Sequence, residues 1–147
     1  MPTLAEHIAK PEKRTAVIAD LVKLVDEEVA GKGGLSGIGI KTAYGLVKAI
    51  KPGFVPDVID GMFDDCIKKL EPIFAESVAK GGSLAAAFSA RAPAVADALL
   101  SVTDERAERT THNTAKKAYS KLRPTGKRNV EEAVPRLGAL LEKHTRA

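Results

Sequence analysis

Residues 11–34 read PEKRTAVIADLVKLVDEEVAGKGG, from Pro11 to Gly34. Within them Val17, Ile18, Leu21, Val22, Leu24, Val25 and Val29 recur every three or four positions, with Asp20, Lys23, Asp26 and Glu27 between. That period describes a helix with one oily side; a half-buried strand would alternate at every second residue. Pro11 suits the first turn, where its missing N–H would have had no partner. The run Gly31-Lys32-Gly33-Gly34 stops the helix.

The same grammar extends in both directions. Upstream, Thr3 and Glu6 have capping-box spacing and open a short helix that Pro11 limits. Downstream, Ser36 is the expected N-cap of a third helix that keeps Ile40, Ala43, Tyr44, Val47 and Ile50 on one side and Lys41 and Lys48 on the other. Pro52-Gly53 ends it and Pro56 starts a fourth helix, which buries Val58, Ile59, Met62, Phe63, Cys66, Ile67 and Leu70. Its wet face offers Asp64–Lys68 and Asp65–Lys69 pairs at i,i+4. Pro72 kinks or restarts this helix, and Gly81-Gly82 closes it. Ser83 caps the alanine-dense LAAAFSARA segment, and Pro93 opens its successor. Alanine-rich surfaces let backbones approach closely, so this pair is expected at the centre of the molecule.

From Asp104 to Leu122 the pattern is a polar helix with a thin stripe of Ala107, Thr111, Ala115, Ala118 and Leu122. A loop is expected over Arg123–Arg128. Asn129 and Glu132 then form a second capping box for a last helix carrying Val130, Ala133, Val134, Leu137, Leu140 and Leu141, with Pro135 in or near its first turn. No stretch alternates strictly. The expected fold is all-α, a compact multi-helix bundle of about seven to nine helical segments with no sheet. Residues 1–147 form a single helical domain, the usual size of one folding unit.

Composition narrows the function classes. Hydrophobic residues make up 44% of the chain but aromatic ones only 4%, so the core must be built from Ala, Val, Leu and Ile. The lone Cys66 excludes an internal disulfide and a multi-cysteine zinc site. The opening MPTLAEHIAKPEKR lacks the apolar core of a secretory signal. The least charged stretch, Leu84–Val102, contains Arg91 and Asp97. A charge at a bilayer centre costs roughly 2.5–3.5 kcal/mol, so no membrane span is expected. A cytoplasmic location is expected.

The candidate chemistry is sparse. No acid lies between Glu28 and Asp57, and within that gap a glycine-rich loop runs into a lysine-bearing helix. A P-loop needs Gly and Lys adjacent and a strand before the loop; here Gly39-Ile40-Lys41-Thr42 interrupts the pattern and no strand precedes it. What remains is a general anion site built from Gly33, Gly34, Ser36, Gly37, Lys41, Lys48 and Lys51. The alternative is structural: Gly33 and Gly34 turn the chain, and Gly37 and Gly39 permit tight packing. A second acid-free gap, between Glu108 and Glu131, holds Lys116, Lys117, Lys121, Arg123, Lys127 and Arg128 with Tyr119 among them. It reads as a polyanion surface, or as a solvated basic face with Tyr119 in the core.

Asp57, Asp60 and Asp64 share a helical face, but no facing His and carboxylate pair completes a metal site. Asp57 suits the helix N-terminus instead. Cys66 lies on an apolar face and reads as a small core hydrophobe. His7, His112 and His144 have no fixed spacing to a nucleophile. No catalytic residue, metal or cofactor is assigned.

The segment Gly34-Leu35-Ser36-Gly37 … Lys41-x-Ala43-Tyr44 … Val47-Lys48-x-x-Lys51-Pro52-Gly53-Phe54-Val55-Pro56 resembles the signature of an uncharacterised family of small bacterial proteins. The tail Ala133-Val134-Pro135-Arg136-Leu137 is similar too. The resemblance implies a soluble helical protein and carries over no activity, cofactor or site. The expected function is therefore non-enzymatic: a helical binding or interaction protein whose partner is another protein or a second copy. The alternatives are a polyanion, nucleic-acid or phosphate-ligand binder using basic surfaces at 32–51 and 109–128, and a carrier of a small apolar ligand lined by Phe54, Met62, Phe63 and Phe74.

Overall fold

The computed structural model describes residues 3–145, apart from the side chains at positions 34–36, 47, 115 and 118. Seven helices and no strand occur among the described residues: α1 (Leu4–His7), α2 (Pro11–Ala30), α3 (Gly34–Ile50), α4 (Phe54–Lys80), α5 (Leu84–Ala90), α6 (Ala92–Arg109) and α7 (Asn113–Thr145). The chain is an all-α bundle, as its periodicity predicts.

Several boundaries follow the expected chemistry. Thr3 and Glu6 make a complete capping box, and the Leu4 amide also donates to Glu71 on α4, tying α1 down. Pro11 opens α2. Ser83 accepts from the Ala86 amide at the start of α5, and Pro93 lies in the first turn of α6. Gly81 and Gly82, with φ of 76° and 84°, turn the chain after α4 where L side chains are disfavoured.

Other boundaries differ from expectation. α3 begins at Gly34, so Ser36 lies inside the helix rather than at its N-cap; the Ser36 side chain is outside the described residues, as are those of Val47, Ala115 and Ala118. α4 starts at Phe54, behind Gly53 with φ 83°, and runs unbroken through Pro72. The largest correction concerns α7. The expected loop at Arg123–Arg128 is helical, and the break comes earlier, at Thr110-Thr111-His112. Asn129 and Glu132 therefore form no capping box; Asn129 donates to the Thr125 carbonyl within the helix. Pro124 and Pro135 lie deep inside a 33-residue helix.

Both prolines, and Pro72, are exposed. A proline deprives the carbonyl four residues earlier of its donor, and that carbonyl lies on the same face. Water can satisfy it there, and interhelix ties hold the helix together. Arg123 on α7 grips Asp104 of α6 through two bonds of 2.8 and 2.9 Å, and Lys127 reaches Asp97 at 3.0 Å.

The core gathers Phe63, Leu70 and Phe74 of α4, Leu84 and Phe88 of α5, Val95 of α6, and Val134, Leu137 and Leu141 of α7. Leu4, Ile8 and Val17 close it. The alanine-dense α5 packs tightly on α7, as its composition suggests. Among the described residues no single helix is long and apolar enough to cross a membrane. The α5–α6 pair passes that test only jointly, is bent by 85°, and supplies core residues.

Two faces depart from the sequence-derived stripes. Ile50 and Leu122, expected inside, are 74% and 67% exposed, and Ala43 is exposed as well. On α4 the expected Asp64–Lys68 and Asp65–Lys69 pairs are not made: Asp64 reaches Arg14 of α2 and Lys69 reaches Glu105 of α6. Interhelix partners outcompete pairs worth only a few tenths of a kcal/mol.

Candidate functional site

The glycine loop and the second half of α7 meet across a polar cleft of about 450 Å³, lined by Glu27, Glu28, Lys32, Gly33, Gly37, Arg128, Asn129, Glu132 and Arg136. Gly37 is required there by close approach. A Cβ at this position would fall 2.6 Å from the Lys32 carbonyl carbon and 2.7 Å from its oxygen, closer than atoms pack. Gly39 faces open space, so the tight-packing argument does not extend to it.

The cleft's charges are largely matched. Lys32 lies 3.7 Å from Glu28 and also bonds Glu132; Arg136 meets Glu27 at 2.9 Å and Glu28 at 3.2 Å. Among the described residues Arg128 bonds only the Thr125 hydroxyl, at 3.4 Å.

The other sequence-nominated cations divide in the same way. Lys48 bonds Asp26 at 3.2 Å, and Arg123 and Lys127 tie α7 to α6. Lys41, Lys51, Lys116, Lys117 and Lys121 have no acidic partner among the described residues, although Lys51 lies 5.7 Å above the Phe54 ring. Tyr119 is tied to α6 by its hydroxyl. It is half-buried, and its hydroxyl lies 2.5 Å from Asp104 and 2.7 Å from Thr103. Burial, with the Asp104 carboxylate beside it, pushes the Tyr119 phenol up.

Behind the polar cleft lies an apolar cavity of about 440 Å³ between α2, α4 and α7. Leu21, Leu24 and Val25 line it from α2, Met62, Phe63 and Cys66 from α4, and Val130, Ala133 and Leu137 from α7. Its polar lining residues, Glu28, Lys32 and Asn129, are those it shares with the cleft. The hollow opens to solvent on one side and is not sealed within the core. It explains why Leu21, Leu24, Met62 and Cys66 are only partly buried despite lying on the expected core faces.

A shallower apolar hollow of about 720 Å³ adjoins it, sharing Val25, Ile40, Val58 and Ile59. Phe54 and Leu122 line it and are exposed. Of the four side chains nominated from sequence as a ligand lining, Met62 and Phe63 face the inner cavity and Phe54 the outer one. Phe74 is instead buried in the core. The contribution of Leu122 was not legible, because its stripe reads as core.

A family model matches residues 4–145. The chain belongs to the family of unknown function DUF6918. No curated protein and no solved structure matches it. Family membership thus agrees with the resemblance seen in the sequence and brings no activity with it.

The cavity wall of this family member is mainly hydrocarbon. Cys66 is half-buried in its wall, and burial, helped by the charge of Asp65, pushes the thiol up to about 11. Such a thiol is almost wholly protonated at neutral pH and a poor nucleophile. Among the described residues no three His, Cys, Asp or Glu side chains come together to hold a metal ion. His144 is buried with Nε2 2.6 Å from Asp20, which also takes Lys143 at 3.3 Å. This group ties α7 to α2, and the His144 hydrogen bond holds the Asp20 carboxyl below its ordinary range.

Proposed function

We propose that this protein acts by binding rather than by catalysis, and that its ligand is a small apolar molecule held between α2, α4 and α7. One observation carries the reading: a hollow of about 440 Å³ walled by hydrocarbon side chains, with polar groups confined to the part it shares with the neighbouring cleft. Ligand sites are commonly concavities of roughly 300–1,000 Å³, mainly apolar and with a few polar groups that orient the occupant. The polyanion reading draws less support, since Lys32, Lys48, Arg123, Lys127 and Arg136 all engage acids of the same chain.

The test is saturable uptake of an apolar dye such as Nile red, together with native mass spectrometry for a co-purifying ligand. Leu24→Trp on α2 and Met62→Trp on α4 each fill the cavity and should abolish dye binding while the helical circular dichroism persists. Dye binding that is absent in the unsubstituted protein, or unaltered by either tryptophan, would sink the proposal.

A further inference from the structure

Much of the water-facing side of α3 is apolar, beside the exposed Lys41 and Lys48. Ile38, Leu46 and Ile50 are 63%, 58% and 74% exposed, and Thr42 and Ala49 between them are exposed too. The helix is held inward by other means: Gly37 against the Lys32 backbone, and Tyr44, whose hydroxyl donates to Asp26 at 2.5 Å. A surface helix normally turns only its polar side to water; this one exposes large apolar side chains together with its lysines. The patch continues beyond α3, because Phe54, Val58 and Leu122 are also exposed and line the hollow beside Gly39 and Ala43. Single exposed hydrophobes are ordinary, but a contiguous set marks a contact surface.

We propose that this face docks onto an anionic lipid surface, with α3 lying in the membrane plane. Charge complementarity selects the occupant. No acid occurs between Glu28 and Asp57, and Lys41 and Lys51 lack an acidic partner among the described residues. Lys121, the chain neighbour of Leu122, lacks one as well. Asp57, beside Val58, is the opposing charge these three must outweigh. Amphipathic helices of this kind sink their apolar face some 5–10 Å into the headgroup boundary while basic side chains meet anionic lipids.

The full chain should float with vesicles of phosphatidylcholine and phosphatidylserine at low salt and stay behind with phosphatidylcholine alone. Leu46→Ser with Ile50→Ser, both at exposed positions, should abolish flotation without altering thermal unfolding. Lys41→Gln with Lys51→Gln should weaken it roughly 25-fold, about five-fold for each lysine near the surface. No flotation, or flotation that survives the serine pair, would overturn the inference. So would a doubled mass in light scattering that the serine pair returns to monomer, which assigns the face to a second copy. None of these outcomes bears on dye uptake by the inner cavity, so the two readings fail separately.

Discussion

Gly138 of α7 lies directly against Ala85 of α5: a Cβ built on Gly138 would sit 3.0 Å from the Ala85 Cα and 3.0 Å from the Phe88 Cβ. Gly126, on the same helix, meets nothing within 4 Å. The two glycines should respond oppositely to substitution. Gly138→Val should cost about 1–3 kcal/mol by overpacking. Gly126→Ala should stabilise by roughly 0.5–1 kcal/mol through helix propensity. Urea unfolding of both variants decides it, and a neutral Gly138→Val would contradict the α5–α7 contact.

Pro124 separates a helical from a looped middle of α7. Within a helix it withholds a donor from the Ser120 carbonyl, so Pro124→Ala should raise stability by as much as about 3 kcal/mol and increase the helical dichroism. In a loop the same change would leave the dichroism alone. An unchanged far-ultraviolet signal and an unchanged urea midpoint would restore the loop between Arg123 and Arg128.

Cys66 reports on the cavity wall. With its thiol pushed up to about 11, alkylation should be slow at neutral pH and rise about ten-fold per pH unit with no plateau below pH ~10. A plateau near the ordinary thiol value of about 8.5 would mean that the side chain is not buried as described. Saturating apolar ligand should slow the reaction further, since Cys66 lines the hollow.

Three carboxylates set an acid limit. Hydrogen bonds from His144, Tyr44 and Arg123 hold Asp20, Asp26 and Asp104, respectively, below the ordinary aspartate value of 3.8. A depressed folded-state value contributes stability above the unfolded value that is lost as pH falls through the folded one. Urea midpoints should therefore hold steady down to about pH 4 and drop below it. Asp104→Asn should lower the midpoint at neutral pH and flatten the acid decline. An equally steep decline in that variant would remove Asp104 from the account.

The course of α1, α2, α5 and the start of α6 was readable because their signals are local. Thr3 with Glu6, Pro11, Ser83 and Gly81-Gly82 act on neighbours a few residues away, and the apolar period between them is unbroken. α7 misled for an equally physical reason. Pro124, Gly126 and the Asn129–Glu132 spacing are all local signs of a break. Packing of Gly138 on Ala85 and the ties from Arg123 and Lys127 to Asp104 and Asp97 come from residues far apart in the chain. The same limit hid the candidate site. The stripe on α2 shows that Leu21 and Leu24 face inward, but whether inward means packed or hollow depends on how near α4 and α7 approach.

By itself the sequence determined that this chain is helical, that it belongs among proteins with small aliphatic cores, and where most of its helices start and stop. Helix formation and capping are short-range hydrogen bonding and side-chain periodicity, which local order encodes. Only the tertiary structure decided that α7 is continuous, that a cavity remains between α2, α4 and α7, and that Ile38, Leu46, Ile50 and Leu122 meet water. Those outcomes depend on distances between helices, which are set by the summed fit of side chains drawn from the whole chain.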